Sequence, residues 1–411
     1  MNQRLLLIIG NGFTIDFLKH FDYHEKIDTS NLFRYGADVP WPGDGSPGFL
    51  SYKYCPCLWN LGARPSMDTK EASDLIEEII TCANVYGSAA FSSKQVNDRN
   101  NPKNIYINAY FELLLYLRHL FVYYNNKIKS FNPTKLDEWS WFAFLNAAYR
   151  SKKYQEITIV TYNYDIWLER VLTERNIPFY IEGFQPKIHG AIAIIKPHGS
   201  ISFCHEAEVP KSSFYEIKER DLGDINAPTS DFLVKYTDLD QIYPVTPLIP
   251  PAGNAQRFEL ELTEPKVRSA GSEPSFAPPA GHGASIGTTD LTQFMVDEAT
   301  VVEEYGPAVP RSTAETVREP ASAKSWASDI RQRAREAARN LSKNDELIIS
   351  GLSYWHVDRD EIDSLLVRVQ SSVEVKMINP SIPRSLNAVL TSLFKNYRLY
   401  PSARIITELS R

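Results

Sequence analysis

Five short apolar runs, each ending abruptly in glycine or polar residues, constrain this chain more than any other feature. Leu5–Ile9 stops at Gly10, and Ile157–Val160 stops at Thr161-Tyr-Asn163-Tyr-Asp165. Ala191–Ile195 precedes Lys196-Pro-His198-Gly199-Ser200, Glu346–Ile349 precedes Ser-Gly351-Leu-Ser353, and Val373–Ile378 ends in Asn379-Pro-Ser. The runs are continuous rather than alternating, as in strands buried on both faces of a parallel sheet. Separated by helical patterns, they predict an α/β chain with a doubly wound, mostly parallel, Rossmann-like sheet. Ligands of such sheets lie at the carboxyl ends of the strands.

The runs do not share the chain evenly. Between the first and second lies an excursion from Asp22 to Gln155, too long for one crossover. It opens with Gly, Pro and aromatic residues (RYGADVPWPGDGSPGF) and continues with helical patterns over Thr69–Ala90, over the nearly all-apolar IYINAYFELLLYLRHLFVYY and over Lys135–Tyr149. Residues 22–154 therefore read as a helical lobe inserted into the sheet domain, which is assembled from 1–21, 155–262 and 324–411. Residues 263–323 shift to Pro, Ala, Gly, Ser, Thr and Glu without periodicity, which predicts a flexible insertion. Helical signal returns after Ser325, a candidate cap. A total of 411 residues suits two or three such parts.

Charge and cysteine usage exclude several function classes. With 44 basic and 50 acidic residues, net -6, no strong field draws nucleic acid or anionic lipid. The four cysteines, Cys55, Cys57, Cys82 and Cys204, make neither a disulfide framework nor a paired C-x-x-C zinc site. The expectation is a reduced, cytoplasmic protein without metal. No stretch approaches about 18 uninterrupted apolar residues, so membrane insertion is not expected.

The polar run ends supply the candidate site. Gly10-Asn11-Gly12 after a strand matches part of the dinucleotide fingerprint, in which backbone N–H groups approach a pyrophosphate; Ile15 stands in place of the third glycine, and a plain tight turn fits the same residues. Asn163 and Asp165 either start a helix near Ile166, one as its cap and the other favouring its dipole, or face a ligand. His198 is preferred as a proton-exchanging group over His189, because the stronger strand precedes it and Gly199-Ser200 follow. Gly351 and Ser353 could offer an N–H and a hydroxyl to phosphate, and Asn379 a hydrogen bond to ribose or adenine; each alone is more often loop chemistry.

In this order, Gly-x-Gly-Phe, Thr-x-Asn-x-Asp, His-Gly-Ser, Gly-x-Ser and Ile-Asn, the motifs resemble the sirtuin superfamily. TYNYD, KPHGSI and IISGLSYWHVD resemble most its bacterial sirtuin-like branch, several of whose members are NAD-degrading effectors of antiphage defence. The resemblance covers roughly residues 1–20, 155–255 and 325–380. It implies that Gly10, Asn11, Gly12 and Phe13 border the dinucleotide, with Asp16 in the same loop, and that Thr161, Gly199 and Ser200 lie at the NAD site. Asn163 would contact the nicotinamide ribose and hold the attacking water, and Asp165 would bind the carboxamide end. His198 would be the general base, Gly351 and Ser353 would hold phosphate, and Asn379 the adenosine ribose.

Departures from the family decide between reactions. The four-cysteine ribbon of the sirtuin deacylases is missing, as is their Phe-Gly-Glu-x-Leu-Pro segment; YGPAVP at Tyr305–Pro310 lacks its glutamate. Water is thus the expected acceptor, and the implied activity is NAD+ glycohydrolysis, triggered by oligomerisation or a separate partner protein through the aromatic helical lobe. A module that binds NAD or ADP-ribose without turnover is the second reading, and protein deacylation or ADP-ribosylation the third.

Overall fold

The computed structural model describes residues 3–91, 104–206, 228–243, 248, 326–354, 359–402 and 405–406; side chains at 84–91 and 104 are not described. The insertion expected at 263–323, the Ser325 cap and the segment Tyr305–Pro310 all lie outside the described residues.

Seven strands form one sheet: β1 (Gln3–Ile9), β2 (Tyr154–Thr161), β3 (Phe179–Ile181), β4 (Ile192–Ile195), β7 (Glu346–Ser350), β8 (Glu374–Ile378) and β9 (Asn396–Tyr400). The hairpin of β5 (Phe203–His205) and β6 (Phe232–Val234) is separate and antiparallel. The sheet order is β3-β4-β2-β1-β7-β8-β9, and every neighbouring pair runs parallel. The chain winds outward from β1 through β2 to β4 and β3, then returns beside β1 as β7 and winds the other way. That reversal puts a topological switch point at the carboxyl ends of β1 and β7, as in Rossmann-like folds.

Alternation along each strand explains the continuous apolar runs. Leu5, Leu7 and Ile9 of β1, Ile157 and Ile159 of β2 and Ile348 of β7 face one buried cluster. Leu6, Ile8, Val160, Leu347 and Ile349 face the other. Each such side chain contributes about 1.5–3 kcal/mol by leaving water, so both faces must be covered. On the first face lie α1 (Asn11–His20), α2 (Pro56–Asn60), α3 (Thr69–Phe91), α4 (Asn104–Lys127), α5 (Pro133–Glu138), α6 (Ser140–Arg150) and α7 (Trp167–Glu174). On the second lie α8 (Trp326–Arg339), α9 (Arg359–Leu366) and α10 (Arg384–Leu393). The helices between β1 and β2 share their buried cluster with the sheet, and residues 1–264 and 323–411 form one compact unit.

The single helix expected over Lys135–Tyr149 is two. Asn132 caps α5 by accepting the Thr134 and Lys135 N–H groups, and Trp139 (ψ 116) breaks the path before α6. Trp139 is buried, and its Nε1 donates to Asp16 Oδ2 at 2.9 Å. Periodicity cannot register that tertiary contact. At the opposite end of the sheet from the candidate site, Glu346 accepts from Lys376 Nζ (2.6 Å) and Tyr154 Oη (2.7 Å), tying the starts of β2 and β7 to the middle of β8. Among the described residues no helix is long and apolar enough to cross a membrane.

Candidate functional site

The segment after β2 is held by its own polar side chains. Tyr162 N–H donates to Ile9 O, keeping the chain beside β1, and Thr161 Oγ1 accepts from Asn163 N–H. Asn163 Nδ2 donates twice, to Gly10 O and to Thr14 Oγ1, both at 3.0 Å. The Thr14 hydroxyl in turn donates to Asp165 Oδ2 at 2.7 Å. These bonds settle a choice that the sequence left open: Asn163 does not cap α7, whose Trp167 N–H is served instead by Asp165 Oδ1 at 3.2 Å. Both Nδ2 hydrogens of Asn163 are thus engaged, leaving its amide oxygen without a hydrogen-bond partner among the described residues.

The segment after β4 clamps the first from below. Lys196 Nζ donates to Asp165 O (2.6 Å) and to Glu169 Oε1 (2.7 Å), an ion pair with both side chains 1% exposed. Ser200 Oγ and Ile201 N–H both donate to Tyr164 O. Burial pushes the Asp165 carboxyl above its ordinary range, against the opposing effects of the Lys196 ammonium and the Thr14 hydroxyl. His189 is exposed and precedes β4, at the other edge of the sheet; His198 follows β4 and is buried.

A cavity of about 250 Å³ lies over these groups, lined by Gly10, Asn11, Tyr162, Asn163, Tyr164, Asp165, His198, Leu352 and Ser353. Its opposite wall comes from the segment between β1 and β2: Thr29, Ser30 and Leu32, then Thr69, Ala72, Ser73 and Ile76 of α3, then Phe121 of α4. A second cavity of about 400 Å³ includes Gly12, Asp16, Gly351 and Asn379 in its lining. Most of the expected site residues thus divide between two cavities, with Gly10 and Ser353 lining the first and Gly12 and Gly351 the second.

That contact is tight. Gly12 N–H donates to Gly351 O at 3.0 Å, and a Cβ on Gly12 would lie 2.5 Å from Gly351 Cα. Gly351 has φ +66, a conformation that favours glycine. The expectation that the Gly12 amide faces a pyrophosphate is corrected here: its N–H is taken by Gly351, and Phe13 N–H is taken by Gly10 O.

Four further expected site residues, Phe13, Thr161, Gly199 and Ser200, line neither cavity. Phe13 points into the core, with ring centroids 5.2 Å from Trp139 and 5.3 Å from Trp141, because α1 turns that face inward. Thr161 braces Asn163, and Gly199 (φ +83) and fully buried Ser200 shape the clamp on Tyr164. Asn379 lines the second cavity while its Oδ1 accepts from Ser381 N–H at 3.2 Å, a turn contact.

Two groups that matter were missed. Thr14 lies four residues after Gly10, one helical turn along α1, which is the one signal that could have exposed it. Glu361 of α9 has no motif of its own: its Oε2 lies 3.4 Å from His198 Nε2 and 3.0 Å from Arg331 Nε of α8. Burial opposes ionisation of Glu361, but Arg331 and His198 outweigh it and hold its carboxyl down at about 2. Among the described residues no group of three or more His, Cys, Asp or Glu side chains gathers as metal ligands. The arrangement offers an amide oxygen, a buried carboxylate and an imidazole to one bound molecule. No protein-family model matches the chain, and no curated protein matches it either.

Proposed function

We propose that this protein is an NAD+ glycohydrolase acting in the cavity bounded by Asn163, Asp165 and His198. The reading is supported above all by one observation: side chains from the ends of β2 and β4 converge with the Gly10 loop and Ser353 on one cavity at the carboxyl edge of a parallel sheet. The order of the motifs resembles the sirtuin-like NADases, and an antiphage role rests on that resemblance alone.

In the proposed reaction the bond between ribose C1′ and the nicotinamide nitrogen breaks, and nicotinamide leaves with the bonding pair. A water oxygen adds to C1′, its proton passes to His198 or solvent, and the products are nicotinamide and ADP-ribose. Asn163 Oδ1 orients the water or the ribose, which supplies the proximity that a reaction with a good leaving group chiefly needs. Asp165, when ionised, favours the positive charge that develops on the ribose. His198 removes a proton from a ribose hydroxyl or from the water.

Activation by oligomerisation or a separate partner protein is part of the proposal and rests on the resemblance alone. The test is incubation with NAD+, alone and with candidate partners, followed by chromatography of nicotinamide and ADP-ribose. Turnover lost in Asn163→Ala and His198→Ala supports the hydrolase. NAD+ or ADP-ribose binding without turnover under every activating condition overturns it in favour of a non-catalytic binding module.

A further inference from the structure

We infer that Glu361 is the positioning residue of His198, fixing the imidazole with its proton on Nε2 and its lone pair on Nδ1 toward the cavity. The inference rests on the proposed reading of that cavity. His198 follows β4, Glu361 is on α9 and Arg331 is on α8, so three elements meet at this point. His198 Nε2 is sealed from solvent, makes no hydrogen bond in this resting geometry and lies 3.4 Å from Glu361 Oε2, its only ion-pair contact among the described residues.

A sealed ring nitrogen beside an ionised carboxylate is stabilised when it carries a proton. It is repelled when it presents a lone pair. Glu361 is kept ionised by Arg331, whose guanidinium is 2% exposed with Nε 3.0 Å away, and by Arg335 beyond it. The other groups around His198 do not compete for Nε2. Tyr162 meets it edge-on at 4.9 Å between ring centroids, Asn163 and Asp165 line the same cavity with their hydrogen bonds made to Gly10, Thr14 and Trp167, and Lys196 is engaged by Asp165 O and Glu169. The order is that of a base and the carboxylate behind it: the base faces the reacting molecule and the carboxylate sets its tautomer. Once His198 has accepted a proton on Nδ1, the same carboxylate stabilises the imidazolium.

The test is nitrogen NMR of histidine-labelled protein, with His198 assigned among the eight histidines by loss of its signals in His198→Ala. The unsubstituted protein is expected to hold the Nε2–H tautomer. Glu361→Gln offers either an amide oxygen or an NH₂ group, so the preference is expected to give way to a mixture. In turnover, Glu361→Gln is expected to lower kcat about 100-fold with KM nearly unchanged, Glu361→Asp to restore most of it, and Glu361→Gln to add nothing to His198→Ala. An Nδ1–H tautomer in the unsubstituted protein, or a tautomer that Glu361→Gln leaves unchanged, overturns the inference even if activity falls. The spectrum is read without substrate. A tautomer that responds as expected in a protein that never cleaves NAD+ therefore upholds the role of Glu361 and overturns the glycohydrolase reading instead.

Discussion

Replacing Thr14 with valine keeps the shape of the side chain and deletes both hydrogen bonds that link Asn163 to Asp165. Thr14 is 2% exposed and Asp165 6%, so neither loss is made good by water. The 2.7 Å bond to a carboxylate is worth about 1.5–3 kcal/mol and the 3.0 Å bond from Asn163 about 0.5–1.5 kcal/mol, so Thr14→Val is expected to cost about 2–4 kcal/mol. The hydroxyl favours the ionised form of Asp165, whose carboxyl burial already pushes up. The penalty is therefore largest where Asp165 is ionised and shrinks as pH falls through its folded-state pKa. Thr14→Ser keeps the hydroxyl, loses one methyl and should cost about 1 kcal/mol. Urea unfolding followed by circular dichroism, at mildly alkaline and mildly acid pH, measures all three. A Thr14→Val loss below about 0.5 kcal/mol, the level of an inert surface change, would refute the network.

Other substitutions probe the frame around the site. Gly351→Ala must hold φ +66 and place a Cβ 2.6 Å from Gly12 Cα, so thermal unfolding should report a loss of about 2 kcal/mol or more. Lys196→Met strands the buried Glu169 carboxylate and should cost about 3–5 kcal/mol, most of it recovered in the double variant Lys196→Met, Glu169→Leu; equal costs for the single and double variants would contradict the pairing. Glu112 accepts from Cys57 and Leu58 N–H at the start of α2, and burial lifts its carboxyl from 4.5 to about 7. Its folded-state pKa is raised, so the associated stability is present below the ordinary carboxylate range and is lost as pH rises through about 7. The loss is at most about 3 kcal/mol, and a pH series of urea unfolding curves should show a slope that Glu112→Gln flattens.

What the sequence made legible was whatever depends on local pattern. The runs at Leu5–Ile9, Ile157–Val160 and Glu346–Ile349 announced strands because burial on both faces demands continuous apolar residues. The three-residue β3 is too short to show a period, and β9 is a largely exposed edge whose sequence, Asn-Tyr-Arg-Leu-Tyr, lacks a continuous apolar run. Asn163, Asp165 and His198 could be picked out because strand ends concentrate polar groups. Their partners could not: Thr14 reads as an ordinary helix residue, and Glu361 reaches His198 only because α9 lies against α8. Gly12 shows the limit in the other direction. Its motif suggested a phosphate, and the fold gives its N–H to a glycine some 340 residues further on.

The central claim is that the cavity over Asn163 is where the nicotinamide–ribose bond breaks. Single-turnover release of nicotinamide, measured alongside equilibrium NAD+ binding on the same samples of unsubstituted protein and Asn163→Ala, tests it most directly. The account predicts binding within a few-fold of unsubstituted protein and release slowed by about 100-fold or more. Release from Asn163→Ala at the unsubstituted rate would contradict it.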